Sequence, residues 1–263
     1  MSHPLAQDLS TAPVAIFDTL DSTNAEARRR AEAGETGPLW ILAHQQSAGR
    51  GRRGRNWISP VGNLSTTLLM PYQGSASAAA GLSFVVALAV LDLVRAYTPP
   101  GAVTLKWPND VHLAGKKVSG VLIESGSLGE RRGLWLAIGV GVNLVHAPQD
   151  VERPATAISD HLASGLIAPP DPVVAQARLA VALDRYYKLW RQGGLADILP
   201  IWASRAEGLG KPCVARLEKE SIEGVAEGLD PDGALRLRLP SGEVRRITAA
   251  DVFFQEGSHA TRH

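Results

Sequence analysis

The stretch that decides the fold is "GRGRRGRNWISPVGNLSTTLLM", residues 49–70. Its first six residues match the glycine pattern G-x-G-x-x-G of dinucleotide-binding folds, which requires that the glycines open a helix. Here Pro60 and the Gly62-Asn63 pair exclude a helix, and the alternating "NLSTTLLM" that follows predicts a strand. The dinucleotide-binding reading is therefore excluded, and the stretch is a loop that leads into a strand.

The segments around this loop mix strand-like and helix-like patterns. The apolar "LWILAHQQ", residues 39–46, predicts a buried strand that runs into the loop. After the loop and its strand come a buried helix at 76–91, a strand in "AVTLKWPND", a hairpin in "HLAGKKVSGVLIES" that turns at Ala114-Gly115, and a strand in "GLWLAIGVGVNL". Because hairpins are present and a regular β-α-β-α alternation is not, the sequence predicts an α+β domain on a mixed or antiparallel β-sheet.

Helix ends are marked by capping residues. In "DSTNAEARRRAEAG", Thr23 and Glu26 have the spacing of a capping box, and Gly34 marks the end of the helix. A long helix is predicted to start after Asp171 and to end just before Gly193. The sequence thus predicts the "DSTN" segment at a helix N-terminus, where free N–H groups favour a polar or anionic ligand.

The sequence pattern changes after "GLGKP", residues 208–212. Short strands separated by "DPDG" and "PSG" turns predict a small all-β unit. We therefore expect a domain at 1–208, a second domain at 209–263, and disorder in the terminal "EGSHATRH".

Composition limits the classes of function. The 263 residues are 45% hydrophobic and carry 27 Lys and Arg against 26 Asp and Glu, so the arginine-rich loop is a local feature of a near-neutral protein. Cys213, the one cysteine, excludes an internal disulfide framework. The longest uncharged run, 76–91, is shorter than the roughly 20 residues that span a bilayer, and the N-terminus lacks a secretory pattern. We expect a cytoplasmic protein with no membrane partner.

Two ligand classes are left for the Gly/Arg loop once a dinucleotide is excluded. Interleaved arginines and Trp57 are compatible with a nucleic-acid backbone, but only about 20 residues precede "DSTN", too few for an independent DNA-binding domain. A small phosphorylated intermediate fits better. Glycines expose backbone N–H groups, and one arginine can bind two oxygens of a carboxylate or phosphate at once.

Five motifs occur together in one order: "DSTN", "QQSAGRGRRGRNW", "KWPND", "GKKVSGVLIE" and "GVGVN". In this order and spacing the chain, from about residue 15 to 255, resembles the biotin protein ligases (biotin–[acetyl-CoA-carboxylase] ligases) of the monofunctional type, which lacks an N-terminal DNA-binding domain. The resemblance implies a mixed-sheet catalytic domain of the biotin/lipoyl ligase type followed by a small SH3-like β-barrel domain.

The resemblance also implies a reaction. Members join biotin to ATP, with Mg²⁺, to give biotinyl-5′-AMP and pyrophosphate, and then transfer biotin to one lysine of a biotin carboxyl carrier protein. It implies that DNA is not a partner. It also allows a homodimer, which in this family forms through sheet edges. A lipoate or octanoate ligase is the alternative, because those enzymes share the fold family.

Site residues follow from the resemblance position by position. Those implied to bind biotin share small size or polar groups suited to a ureido ring: Ser22, Thr23, Asn24, Gln46, Arg50, Gly51, Arg52, Lys117, Gly120 and Gly141. Those implied to bind ATP are cations, amides and an aromatic residue: Arg52, Arg55, Trp57, Asn109, Lys117 and Asn143. Lys117, Arg52 and Asp110 are implied to be catalytic, with the Lys117 ammonium stabilising developing charge, and no metal ligand is assigned.

Two segments receive no assignment. The resemblance gives no ATP contact in the proline-rich "LVHAPQDVERPATAIS", residues 144–159, and no role to the "AADVF" turn near the C-terminus. The Gly/Arg loop itself, from Ala48 to Arg55, is expected to act as a lid that moves without ligand and closes over the adenylate.

Overall fold

The structure, a computed structural model, describes residues 8–129, 133–149 and 151–254. The "EGSHATRH" segment, for which the sequence predicts disorder, lies outside the described residues. The first sheet has seven strands in the order β1-β2-β3-β7-β6-β5-β4, in which β1 and β2 are parallel and the other neighbours antiparallel. The strands are β1 (Val14–Leu20), β2 (Leu39–Gln46), β3 (Leu64–Tyr72), β4 (Val103–Lys106), β5 (Asp110–Leu113), β6 (Lys116–Ser127) and β7 (Leu134–Val142).

Both faces of this sheet are covered, and the strand sequences show why. In β2, Trp40 and Leu42 belong to the main core, whereas Leu39 and Ile41 belong to a second cluster on the opposite face. Neighbouring residues of a strand point to opposite faces, so the continuous apolar run "LWIL" is what a doubly covered strand requires. Each large apolar side chain buried in this way contributes about 1.5–3 kcal/mol.

The helices are α1 (Thr23–Glu32), α2 (Ala76–Ala80), α3 (Leu82–Arg95), α4 (Pro172–Gly193) and α5 (Leu195–Ala203). Helix α1 covers the face of the second cluster, and α3, with α4 and α5 beside it, covers the main core. The uncharged run predicted as one buried helix is divided at Gly81, and its helix continues to Arg95. Residues 76–95 are long and apolar enough to cross a membrane by length and composition, but most of this stretch is buried inside the fold, as in a core helix.

The helix ends agree with the sequence in part. Asp171 caps α4, where its carboxylate accepts from the backbone N–H of Val173, while the turn with positive φ is at Gly194, one residue later than predicted. The capping box at Thr23 is wrong: Ser22 is the N-cap residue and its side chain makes no capping hydrogen bond. Gln46, at the end of β2, accepts from the backbone N–H of Thr23 instead, so a tertiary contact replaces the local one.

A second sheet of five antiparallel strands follows, in the order β11-β10-β9-β8-β12. Its strands are β8 (Pro212–Arg216), β9 (Ser221–Leu229), β10 (Leu235–Arg238), β11 (Val244–Ile247) and β12 (Asp251–Phe254). The indole N–H of Trp107 donates to the backbone oxygen of Gly233 at 2.9 Å, which fixes the β9–β10 turn against the "KWPND" segment. The predicted α+β class, with a mixed sheet and a C-terminal β-domain, is confirmed; the boundary at 208/209 stays a prediction.

Candidate active site

A pocket of about 410 Å³ opens on the α1 face of the seven-stranded sheet. All the residues to which the sequence resemblance gives a role contribute to its lining: Ser22, Thr23, Asn24, Gln46, Arg50, Gly51, Arg52, Arg55, Trp57, Asn109, Asp110, Lys117, Gly120, Gly141 and Asn143. These residues come from the five separate motifs, and the fold brings them into one concave site.

The floor of the pocket is made by glycine and polar residues on adjacent strands. Gly141 pairs with Gly120 across β6 and β7, and Gly139 pairs with Thr67 across β3 and β7, so these positions share one face. Ile138, Val140 and Val142, which alternate with these glycines in β7, lie in the main core on the other face. The period-two pattern "IGVGVN" therefore builds an apolar face for the core and a side-chain-free face for the pocket.

One end of the pocket is polar and hydrogen-bonded. The amide oxygen of Gln46 accepts from the backbone N–H of Thr23 at 2.8 Å and from its hydroxyl at 3.1 Å. The amide nitrogen of Gln46 donates to the hydroxyl of Ser59 at 2.7 Å. These contacts fix the orientation of the Gln46 amide at the N-terminus of α1, where donors and acceptors lie side by side.

Asn24 is held at the same end by partners on two strands, β3 and β6. Its amide nitrogen donates to the Glu124 carboxylate at 2.7 Å, and the hydroxyl of Thr67 donates to its amide oxygen at 2.7 Å. A Cβ atom on Gly139 would lie 2.2 Å from that oxygen. Only glycine at position 139 therefore leaves room for Asn24 in this position.

The Gly/Arg loop forms a narrow hairpin. The backbone N–H of Trp57 donates to Gly49 at 2.9 Å, and the N–H of Gly51 donates to Arg55 at 2.7 Å. Arg53 lies at the tip with φ 56°, in the left-handed region. Trp57 returns from the tip across the pocket floor, where a Cβ atom on Gly141 would lie 2.3 Å from the indole. In the structure Gly141 therefore accommodates Trp57; its contact with biotin stays a prediction.

Arg52 turns from the loop into the pocket. Its guanidinium donates to the amide oxygen of Asn109 at 2.9 Å, and the amide nitrogen of Asn109 donates to the backbone of Val121 at 2.6 Å. Burial lowers the pKa of Arg52, while the carboxylate of Asp110 opposes that effect. The arginine side chain is thus fixed by an amide that is itself fixed by the sheet.

Lys117 and Asp110 meet across the β5–β6 hairpin. The distance from Lys117 Nζ to Asp110 Oδ1 is 2.6 Å, and Lys117 Nζ lies 6.0 Å from the centre of the Trp57 ring. Lys116, the neighbouring lysine, is exposed. The hairpin, with its turn at Ala114 and Gly115 in positive φ, therefore directs one lysine of "GKK" into the pocket and the other away from it.

The Lys117 end of the pocket is cationic. Six basic and three acidic side chains line the whole pocket, and the acidic ones (Asp110, Glu152 and Asp251) each form an ion pair with a basic side chain. Burial alone would raise the pKa of Asp251, but the guanidinium groups of Arg55 and Arg153 outweigh it and lower the pKa from 3.8 to about 2. The excess of cations suits a polyphosphate.

Asp251 is expected to stabilise the protein in a pH-dependent way. Because its pKa is lower in the folded protein than the ordinary 3.8, its stabilisation is present above that pH and is lost as the pH falls to about 2. Asp251→Asn should unfold at a lower urea concentration than the unsubstituted protein at neutral pH, and the difference should shrink over this acid range. Urea titrations at a series of pH values measure it; a difference unchanged down to pH ~2 would contradict the assignment.

Asn143 and Asn63 hold the segment that follows β7. The amide of Asn143 donates to the backbone oxygen of Thr156 at 3.0 Å. The amide oxygen of Asn63 accepts from three consecutive backbone N–H groups, at residues 144–146, within 3.1 Å. Asn143 thus has a structural partner in this structure, and its contact with ATP stays a prediction.

Sequence reasoning gave no role to several residues whose contacts shape or support this site, among them Ser59, Thr67, Glu124, Gly139, Arg153 and Asp251. Glu124 and Gly139 stand inside motifs already singled out, and their alternation with core residues was the available signal. Arg153 and Asp251 stand in the two segments without an assignment, and no local pattern marks them.

The fold and the pocket agree with a broad class of proteins, the biotin and lipoate protein ligases. The profile of the Biotin/lipoate A/B protein ligase family matches residues 16–143, and that of the Biotin protein ligase C terminal domain matches residues 208–255. The biotin protein ligase of Aquifex aeolicus in complex with biotin and ATP has a similar fold: the TM-score is 0.76 at 24% identity, covering 93% of this chain and 99% of that one.

Sequence relatives give the narrower family. A biotin–[acetyl-CoA-carboxylase] ligase of Paracoccus denitrificans is 45% identical over 244 residues, which cover 89% of this chain and 97% of that protein. The bifunctional ligase/repressor BirA of Salmonella typhimurium is 32% identical over 87% of this chain and 70% of that protein. The chain belongs to the biotin protein ligase family, as the five motifs predict.

Proposed function

We propose that the protein activates biotin with ATP to biotinyl-5′-AMP and transfers the biotin to a lysine of a biotin carboxyl carrier protein. The observation that carries the proposal is the division of one pocket into a polar, hydrogen-bonded end at Thr23 and Gln46 and a cationic end at Lys117 and Arg52. The first end suits a ureido ring, which has both donors and an acceptor, and the second suits a carboxylate that meets a triphosphate. Both substrates appear in the name of the Aquifex aeolicus complex.

The first step joins a biotin carboxylate oxygen to the α-phosphorus of ATP while the bond from that phosphorus to the bridging oxygen breaks and pyrophosphate leaves. Negative charge is concentrated between two anions in this step, so fixed cations stabilise the transition state. Lys117 supplies a compact ammonium held by Asp110, and Arg52 supplies a guanidinium held by Asn109. Both groups are already oriented before substrate binds, which lowers the cost of reorganisation.

The second step joins the acceptor lysine nitrogen to the carbonyl carbon of biotin while the bond to the AMP oxygen breaks and AMP leaves. The incoming amine must lose a proton, and we assign Asp110 to hold the amine or accept that proton. The Gly/Arg loop, with Arg50 and Gly51 at its edge of the pocket, would exclude water from the reactive adenylate until the amine arrives. Arg55 and Trp57 would contact the nucleotide from the same loop.

Mg²⁺ would reach the site with ATP. In the parts of the chain that the structure describes, no group of three or more His, Cys, Asp and Glu side chains could hold a metal ion, and the acidic residues of the pocket are engaged by cations. The triphosphate would therefore supply the oxygen ligands, and the ion would neutralise phosphate charge there. We place the reaction in the cytoplasm, where ATP and carboxylases occur together.

A homodimer would use one outer edge of the seven-stranded sheet. Strand β1 forms that edge, and its Val14 and Ile16 are 40% and 49% exposed. An edge strand with exposed apolar residues is a site for pairing with another strand. Light scattering on the purified protein would show whether two copies associate.

Labelling of a carrier domain tests the proposed function. The protein is incubated with biotin, ATP, Mg²⁺ and a purified biotin carboxyl carrier domain, and the intact mass of the carrier is followed. We expect one biotin per carrier, and none on a carrier whose acceptor lysine is replaced by arginine. Parallel reactions with lipoate or octanoate test the alternative: modification by these acids in preference to biotin would overturn the proposal.

A further inference from the structure

Arg153 stands where the catalytic sheet and the C-terminal β-domain meet at the pocket. It lies in the proline-rich segment after β7, and its side chain is 19% exposed. One guanidinium nitrogen, Nη1, is 3.5 Å from Asp110 Oδ2 of the catalytic domain. The other, Nη2, is 2.5 Å from Asp251 Oδ1 of the β-domain. One side chain therefore contacts two carboxylates that lie 141 positions apart in the sequence, at positions 110 and 251.

The two carboxylates each have a second cation. The other oxygen of Asp110 is 2.6 Å from Lys117 Nζ, and the other oxygen of Asp251 contacts Arg55. The result is an alternating row of charges, Lys117–Asp110–Arg153–Asp251–Arg55, that runs from the reacting end of the pocket to the Gly/Arg loop. Arg153 is at its centre, and its planar guanidinium suits a contact with two carboxylates at once.

Arg153 is also packed in a way that leaves little freedom. Its guanidinium carbon is 5.3 Å from the centre of the Phe253 ring. Its Nε and Nη2 atoms are buried without a hydrogen bond, so the contact of Nη2 with Asp251 is an ion pair. Arg216 contacts the same ring at 4.6 Å, but it pairs with Glu152 and is more than half exposed. The two arginines therefore share one aromatic partner, while Arg153 alone of this pair reaches Asp110.

We propose that Arg153 is a positioning residue for the adenylation step, which acts through Asp110 on Lys117. By holding Asp110 Oδ2, the guanidinium orients the other carboxylate oxygen toward Lys117 Nζ and keeps that ammonium at the reacting atoms. The anchor on Asp251 makes this orientation depend on the docked position of the β-domain. The inference rests on the proposed function, because it concerns the efficiency of the same reaction.

A double-mutant cycle tests the proposal. Single-turnover formation of biotinyl-5′-AMP, which stays measurable at low rates, is compared for the unsubstituted protein, Arg153→Met, Lys117→Ala and the double variant. Arg153→Met should slow adenylate formation about tenfold, and in the Lys117→Ala background it should slow it by less than about twofold, because its effect passes through Lys117. The affinity for biotin alone should stay unchanged, since the contacts of Arg153 are at the other end of the pocket.

The controls separate this role from a structural one. Arg216→Met removes the other cation from the Phe253 ring and should leave adenylation unchanged. If Arg153→Met does not fold, Arg153→Lys, which is too narrow to reach both carboxylates, carries the same cycle. Equal losses in both backgrounds, or no loss in the first, would overturn the inference while the proposed function stands. Absence of adenylate formation by the unsubstituted protein would overturn the proposed function and the inference together.

Discussion

Lys117→Ala is expected to slow adenylate formation by about 10²–10³-fold, the effect of removing one preorganised group that stabilises developing charge. Lys117 Nζ lies 2.6 Å from Asp110 in the cationic end of the pocket, where the biotin carboxylate and the α-phosphate are proposed to meet. Lys116→Ala is the matched control, because this lysine is adjacent in sequence and exposed. Its rate should stay within about twofold of the unsubstituted enzyme.

Adenylate formation can be followed as pyrophosphate release under saturating biotin and ATP. The assignment of Lys117 would be wrong if its alanine variant kept the unsubstituted rate, or if Lys116→Ala lost as much. Thermal unfolding of both variants separates a chemical loss from a folding defect. Lys117→Ala also breaks the contact with Asp110, so its melting temperature is needed to interpret the rate.

Gly139→Ala is expected to weaken biotin binding by about 10- to 100-fold, as the loss of about 1–3 kcal/mol of polar contacts would. The added Cβ would lie 2.2 Å from the amide oxygen of Asn24 and 3.0 Å from its Cγ. Asn24 has little room to yield, because Thr67 and Glu124 hold its two ends. The side chain must leave its position, and the hydrogen-bonded end of the pocket is then disrupted.

Gly228→Ala is the matched control for this substitution. Gly228 is also a strand glycine, in β9, and its added Cβ would meet nothing within 4 Å. Calorimetric titration with biotin alone compares the two variants with the unsubstituted protein. Equal affinities for Gly139→Ala and the unsubstituted protein would show that the position of Asn24 does not matter for biotin.

The fold was predictable where one local pattern determined one element. The hairpin at Ala114-Gly115 and the doubly buried strand "LWIL" follow from turn chemistry and apolar runs, and the structure confirms both. Thr23 shows the limit of this approach. Its sequence context fits a capping box, but Gln46 takes the backbone N–H across 23 positions of sequence, and a tertiary partner cannot be seen in local spacing.

The candidate site was predictable where residues stand inside recognisable motifs, and the pocket brings those residues together. Arg153 and Asp251 were not found, because their importance comes from contacts between positions 110, 153 and 251, which become neighbours only when the β-domain docks on the sheet. An isolated arginine in a proline-rich segment resembles many solvated surface residues. Its burial between two carboxylates is information that only the three-dimensional structure contains.

Biotin-dependent exchange of labelled pyrophosphate into ATP tests the central claim most directly. The claim is that biotin and ATP meet at the Lys117 end of one pocket and form an adenylate reversibly. We expect the unsubstituted protein to catalyse exchange only when biotin is present, Lys116→Ala to retain it, and Lys117→Ala to lose nearly all of it. Exchange without biotin, exchange supported equally by lipoate, or full exchange by Lys117→Ala would contradict the claim.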